Sequence, residues 1–320
     1  MNKKIFAFAV AGIAVASTGA TAQTYGIGSN PQGSIFFATA AAVSKVMVQK
    51  TGQQFRVQPY AGSSTYMPLV SMGKLAFGVA NAGEAHFAHA GIEVYKRPNP
   101  NLRQVAFTFG LNSGWGVRTD SKMRTIADLK GAKAPVDFTS GRIFHYLSSM
   151  SLATADLTAS DLKGVPTPNF VTGIKAFMAG RLDAAYFPLG AGIAKQAMAT
   201  IKGGWRYLKM DCSKEAELKL QKIIKPGFIG KAKPGPKATG VVNNPQCLVN
   251  VPVTVVAGKH VSDKVVYSVV KTMHAGKKDL AKALGAFNRF NPKEMARSHP
   301  TPYHPGAIKA YKELGIWPGK

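Results

Sequence analysis

The stretch from Thr24 to Gly91 constrains the fold more than any other part of the chain, because an extended run, a small polar turn and an apolar-faced helix follow one another there twice and lead into a third strand. Tyr25–Gly28 is short and extended, and Ser29-Asn-Pro-Gln-Gly33-Ser34 is made of residues that each favour a turn. From Ile35, the apolar Phe36, Ala40, Val43 and Met47 recur on one helical face, and Gly52 marks its stop. Phe55–Pro59 is the next strand; Gly62-Ser63-Ser64-Thr65 feeds a short helix closed by Gly73, and Leu75–Ala80 is the third strand. Two strand ends therefore each hand a small polar loop to a helix start. A helix start carries unpaired N–H groups and a partial positive charge, so two of them on one side of a sheet suit an anion. In open parallel sheets ligands sit at the carboxyl ends of the strands, where both loops fall. Either turn alone is accounted for as a cap; the pair is what marks a site.

The cycle continues downstream. Asn81-Ala-Gly-Glu84 opens a short helix that runs to Gly91. Glu84, His86 and His89 raise the question of a metal, but two histidines at i, i+3 leave a third ligand unfixed and capping accounts for Glu84, so no metal is assigned. Gln104–Leu111 and Trp115–Arg118 read as a strand interrupted by Gly110 and Gly114, suited to crossing between two lobes. Ile126–Gly131 reads as a short helix and Ala134–Asp137 as a strand. The turn Phe138-Thr139-Ser140-Gly141-Arg142 then feeds a helix over 143–152, and its guanidinium is suited to clamping a carboxylate through two parallel hydrogen bonds. Pro166-Thr-Pro168-Asn169-Phe170 precedes another helix, and Leu182–Phe187 another strand. Val249–Ala257 is a valine-rich strand despite Pro252, read as the crossing back, and helices are expected from Ser262 and over 279–290 and 307–314.

Charge is the compositional outlier: 41 Lys and Arg against 15 Asp and Glu give +26, with 46% apolar residues otherwise ordinary for a globular chain. Such a field favours anionic partners. Nucleic acid is not assigned, since the lysines are dispersed and no segment interleaves them with aromatics. The densest basic region is Lys195–Lys237, with ten lysines and Arg206 against Asp211, Glu215 and Glu217. Residues 1–22 read as an export signal: Lys3 and Lys4, an apolar run from Ile5 to about Ala16, then Ala20-Thr21-Ala22, leaving +24 on a mature chain starting at Gln23. No later run is long enough to span a membrane. Cys212 and Cys247 are the only cysteines, and in an oxidising compartment they are expected to pair, a bond worth about 3 to 4 kcal/mol.

Catalytic motifs are missing. There is no Gly-x-Ser-x-Gly, His-Glu-x-x-His or phosphate-loop sequence. Ser71-Met-Gly-Lys74 and Lys50-Thr51-Gly52 match fragments of penicillin-recognising enzymes, but in the wrong order and without a Ser-Asp-Asn between them.

Across nearly the whole mature chain, the sequence resembles the TAXI-type solute-binding proteins of tripartite ATP-independent periplasmic (TRAP) transporters. The resemblance rests on Gly26-Ile-Gly-Ser29 with Gly33 and Phe36-Phe37, Gly62-Ser63 ahead of Gly73, Ala88-His-Ala-Gly91, Ile126-Ala-Asp-Leu-Lys-Gly131, Ala179-Gly-Arg-Leu-Asp-Ala184, and His304-Pro-Gly-Ala-Ile308 with Tyr311, Glu313 and Gly315. It implies an α/β, two-lobed, periplasmic-binding-protein-like (type II) fold, each lobe a mostly parallel sheet flanked by helices, with the ligand cleft between them. One lobe is expected from 23–115 and 250–320, the other from 116–249. The implied activity is capture of a small organic anion such as glutamate or 2-oxoglutarate by lobe closure and delivery to a TRAP membrane permease, without catalysis or cofactor. Ligand residues are expected to be Ser29, Gly33, Ser34, Phe36, Gly62, Ser63, Ser64, Asn81 and Glu84 on one lobe, with Thr139, Ser140, Arg142, Phe170 and Phe187 on the other. Phe77 stands where the family usually has an acidic residue and Phe36-Phe37 where it has two tyrosines, which suggests a more apolar pocket and an aromatic or branched carboxylate. Alternatives are a binding subunit of another transporter or of a sensor kinase, or a periplasmic enzyme on the same fold.

Overall fold

The computed structural model describes residues 23–236 and 238–318; the export-signal segment lies outside them. The first strand, β1 (Thr24–Ser29), leads through the polar turn into α1 (Ile35–Thr51), capped by Ser34 Oγ accepting from Phe37 N–H and closed by Gly52 in the left-handed region. β2 (Gln54–Pro59), α2 (Ser63–Ser71), β3 (Phe77–Asn81) and α3 (Ala82–Ala90) complete the expected unit. β1 pairs in parallel with both β2 and β3, with Ile27 opposite Val57 and Gly28 opposite Gly78. Parallel pairing places the carboxyl ends of all three strands, and the starts of α1, α2 and α3, along one edge.

Two long strands organise the rest. β4 (Leu102–Arg118) and β10 (Gln246–Gly258) pair antiparallel along most of their length. At one end β10 pairs with β3 through Val253–Ala257; at the other it pairs with β9 (Phe228–Ala232) through Gln246–Asn250. β4 changes partner in the same way, meeting β7 (Ala184–Pro188) through Ser113–Val117 and β8 (Trp205–Tyr207) at its end. The sheet order is β2-β1-β3-β10-β4-β7, and β5 (Lys133–Val136) and β6 (Lys163–Pro166) form a separate parallel pair. Parallel pairs thus sit on the outer sides of each lobe, and the two through-strands supply the antiparallel ones.

Pro252 is tolerated in β10 because it lies at a register shift, between the stretch paired with β9 and the stretch paired with β3. Gly110 and Gly114 do not interrupt β4, which is continuous. A Cβ on Gly110 would stand 2.4 Å from the Asn250 side chain, and one on Gly114 2.7 Å from Leu248, so these glycines make room for β10.

The helices between these strands are α4 (Ile143–Ala153), α5 (Phe170–Met178), α6 (Gly192–Thr200) and α7 (Lys214–Gln221); after β10 come α8 (Asp263–Ala275), α9 (Lys277–Ala283) and α10 (Pro305–Glu313). The helix expected over 279–290 is instead α9 followed by a 3-10 turn at Gly285–Arg289, because Leu284 turns extended ahead of Gly285. Ile126–Leu129 is likewise a 3-10 turn, held by Asp128 accepting from Thr125 N–H. One apolar core lies between the first sheet and α1, α8 and α10, with Val43, Met47, Val266, Val270 and Tyr311 buried. A second fills the other lobe and continues under α2 and α3, so the two lobes share apolar contact. Cys212 and Cys247 are joined, tying the segment before α7 to the start of β10.

Candidate functional site

Helix starts from both halves meet along one seam. Gly33, at φ +86°, turns its carbonyl to accept from Ile193 N–H (3.1 Å), which joins the start of α1 to the start of α6. Ser64 Oγ donates to Ser140 O (3.0 Å) and accepts from Arg142 N–H (3.3 Å), joining α2 to α4. Asn169, the N-cap of α5, donates from Nδ2 to Ala61 O (2.9 Å). Gly62 is the tightest point: a Cβ there would lie 2.0 Å from Ser140 O. At the start of α3, a Cβ on Gly83 would meet Ile224 of the second lobe at 2.7 Å. Helix starts therefore meet across the lobes, α1 with α6 and α2 with α4 and α5, while the start of α3 abuts Ile224 just past the end of α7.

Several polar atoms at this seam are buried without a hydrogen-bond partner: Asn30 Oδ1, Ser63 Oγ, Asn81 Nδ2, Glu84 Oε2 and Thr167 Oγ1. Buried polar groups are ordinarily paired, so such a cluster is informative. Asn81 caps α3 by accepting from Glu84 N–H at 2.9 Å, which leaves only its amide nitrogen free. Glu84 is not the cap expected for it; its Oε1 accepts from the Tyr95 hydroxyl at 3.0 Å. Burial pushes its carboxyl up to about 7, and the Ser63 and Tyr95 hydroxyls hold that rise back. Ser63 acts there as a close polar neighbour, since neither its Oγ nor Glu84 Oε2 makes a hydrogen bond of ordinary geometry. The same carboxylate raises the Tyr95 and Tyr66 hydroxyls, after burial. No group of three His, Cys, Asp or Glu that could hold a metal occurs among the described residues.

The expected ligand residues divide. Ser29, Ser34, Ser63, Asn81 and Glu84 are buried at the seam, with Gly33, Gly62 and Ser64 making its cross-lobe contacts. Thr139 and Ser140 sit on the facing loop, exposed and half-buried. The aromatic expectations are corrected. Phe36 lies in the core of the first lobe, Phe187 stacks on Trp205 at 3.7 Å, and Phe170 packs on Phe144 at 4.3 Å, each drawn inward by its own lobe. Phe77 packs against Phe55 at 5.4 Å in the same way, so neither it nor Phe36 makes the seam apolar. Arg142 is also corrected. Its guanidinium is exposed at the rim and donates to Thr139 O (3.2 Å) and Val94 O (3.4 Å), so two of its donors are spent bridging loops. A groove of about 520 Å³ opens beside it, lined by Ser64, Tyr95 and Pro98 among others.

Sequence reasoning passed over Asn30, Tyr95, Thr167 and Asn169. Asn169 had a usable signal, since an Asn directly before a helical apolar run is a preferred N-cap. Tyr95 had none, because its partner is eleven residues away across a loop.

This arrangement, two α/β lobes joined by two through-strands with helix starts facing across the seam, is the periplasmic-binding-protein-like fold of solute-binding proteins. The chain belongs to the NMT1-like family, matched over residues 27–315. Among solved structures it is similar to a periplasmic transporter (TM-score 0.59, 15% identity, covering 91% of this chain and 92% of that one). It is also similar to the substrate-binding protein AbpA of an amino acid ABC transporter from Streptococcus pneumoniae, bound to L-arginine (0.51, 12%, 83% and 95%). A third is the alkanesulfonate-binding protein SsuA from Xanthomonas axonopodis pv. citri, bound to MOPS (0.50, 16%, 92% and 94%). At these identities the likeness is one of fold. No curated protein matches the chain.

Proposed function

We propose that this protein is an extracytoplasmic solute-binding protein that captures a small organic anion between its lobes and hands it to a membrane permease of the TRAP type. The observation that carries the reading is the meeting of helix N-termini from both lobes at a seam that leaves buried polar atoms unpaired. Outward-facing amides there supply donors and partial positive charge, and a carboxylate or sulfonate completes the hydrogen-bond set. Each lobe holds only part of that set, so the ligand favours the closed form by joining the two parts. β4 and β10 are the proposed hinge, dividing residues 23–115 and 250–320 from 116–249. The periplasm is the proposed compartment: it suits the paired cysteines and the export-signal pattern. The proposed residue set is Ser29, Asn30, Ser34, Ser63, Asn81 and Glu84 from the first lobe with Thr139, Ser140, Thr167 and Asn169 from the second.

TRAP is preferred for the permease on the sequence motifs; the solved structures named above include ABC-type proteins, which share the fold. Genes next to this one discriminate the two, since a TRAP system brings a fused multi-spanning permease and an ABC system an ATPase. The direct test is mass spectrometry of small molecules released from the denatured protein, followed by calorimetry with each acid found. An organic anion bound one to one is expected. Turnover of that compound by the purified protein would replace this reading with an enzymatic one.

A further inference from the structure

Glu84 is the only fully buried carboxylate among the described residues. Tyr95, on the loop after α3, donates to its Oε1 at 3.0 Å, and Ser63 and Tyr66 approach from α2. No lysine, arginine or histidine is among the groups that perturb it, and Oε2, with the Ser63 hydroxyl as a close polar neighbour, makes no hydrogen bond of ordinary geometry. The preceding residue, Gly83, abuts Ile224 of the second lobe, and Gly62, next to Ser63, abuts Ser140, so the chain neighbours of Glu84 and of Ser63 both make cross-lobe contacts. A carboxylate buried this way needs either a cation or a proton. Among the described residues no cationic side chain perturbs it, and an anion drawn to the surrounding helix starts is repelled by an ionised Glu84.

We propose that Glu84 is the proton-bearing subsite of the ligand pocket: the anion is bound together with a proton held on Glu84 Oε2 and donated as a hydrogen bond to a ligand oxygen, that proton being taken up from solvent wherever the carboxyl is ionised. The pocket on this view takes an acid lacking an ammonium group, and takes it more tightly in acid. The inference rests on the anion-capture reading above. A carboxyl already pushed up to about 7 in the free protein is poised to accept that proton.

Calorimetry with 2-oxoglutarate, phenylpyruvate and L-glutamate, each in two buffers of different ionisation enthalpy, tests it. With the binding-competent fraction set by a group titrating near 7, affinity for the two oxo-acids is expected to fall about tenfold from about pH 6 to about pH 8. Proton uptake is expected in the buffer comparison, close to one proton per ligand at about pH 8 and close to none at about pH 6. Glu84→Gln, whose amide donates as a protonated carboxyl does, is expected to bind within about threefold of the acid-form affinity with no pH dependence. Tyr95→Phe, which removes the donor that holds the carboxyl down, is expected to move the fall in affinity to higher pH. Loss of binding in Glu84→Gln, together with L-glutamate binding alone and more tightly as pH rises, marks a subsite for a ligand ammonium and overturns the proposal. A pH slope that persists in Glu84→Gln, or an unmoved midpoint in Tyr95→Phe, overturns it too. No heat from these probes and no thermal shift across a wider panel of organic acids removes the anion-capture reading itself, and this inference with it.

Discussion

The two lobes present the same device, a polar turn at a helix start, and finish it differently. In the first lobe Ser29, Asn30, Ser34, Ser63, Asn81 and Glu84 are all buried, and four of them retain an unpaired polar atom. In the second lobe Thr139 and Arg142 are exposed, and the contacts Ser140 and Arg142 make are with backbone atoms or the opposite loop. The difference teaches that a repeated sequence motif need not carry a repeated role. On the proposed reading the first lobe holds most of the chemistry of the pocket, and the second adds the buried Thr167 and Asn169 and reaches across to cover it.

Stability offers the strongest contrast. The disulfide anchors the second lobe, and closing a 35-residue loop stabilises by about 4 kcal/mol, so the Cys212→Ser, Cys247→Ser double variant is expected to lose about that much in denaturant unfolding. Ligand affinity is expected to change little, because neither cysteine is among the residues that meet at the seam; a large loss of affinity would break the division of labour. Glu84 makes the complementary prediction for the first lobe. Its folded pKa is raised from 4.5 to about 7, so relative to Glu84→Gln the wild-type protein keeps full stability below about pH 4.5 and loses it as pH rises through about 7. The loss is expected to approach about 3 kcal/mol by about pH 8, read as the difference between the two pH–stability curves. Parallel curves would mean that Glu84 is not buried as a carboxyl.

Closure is tested at Gly62. With a Cβ 2.0 Å from the Ser140 carbonyl oxygen and only backbone to give way, Gly62→Ala is expected to hold the lobes apart. Affinity is expected to drop about a hundredfold, about 2.7 kcal/mol, and scattering is expected to show no compaction on adding ligand. The smallest effect is expected at Arg142. An exposed guanidinium that donates to two loop carbonyls contributes little, so Arg142→Ala is expected to weaken binding by about threefold or less in calorimetry. A hundredfold loss there would restore the carboxylate clamp and erase the asymmetry between the lobes.

Much of this molecule was legible in the chain because the signals were local. The order strand, polar turn, helix through Thr24–Gly91 is written in Gly33, Gly52, Gly73 and the serines, whose conformational preferences act within a few residues. The sheet partners of those strands followed from helices too long to permit hairpins. What misled was also local. Phe36 and Phe170 follow polar turns and Phe187 stands at a strand's exit, and so they read as pocket walls, whereas burial on their own lobe's core decided where their rings went. Gly110 and Gly114 read as flexible points, yet their meaning lies in Asn250 and Leu248 on a strand more than a hundred residues away.

By itself, then, the sequence determined the element order, the polar caps and the two-lobed class, since backbone preference and hydrophobic period are properties of neighbouring residues. The tertiary structure alone decided that Glu84 is buried without a cation, that Tyr95 is its partner, and that Gly62 seats on Ser140. Desolvation and close approach depend on which distant segments pack around a group, and no run of adjacent letters encodes that.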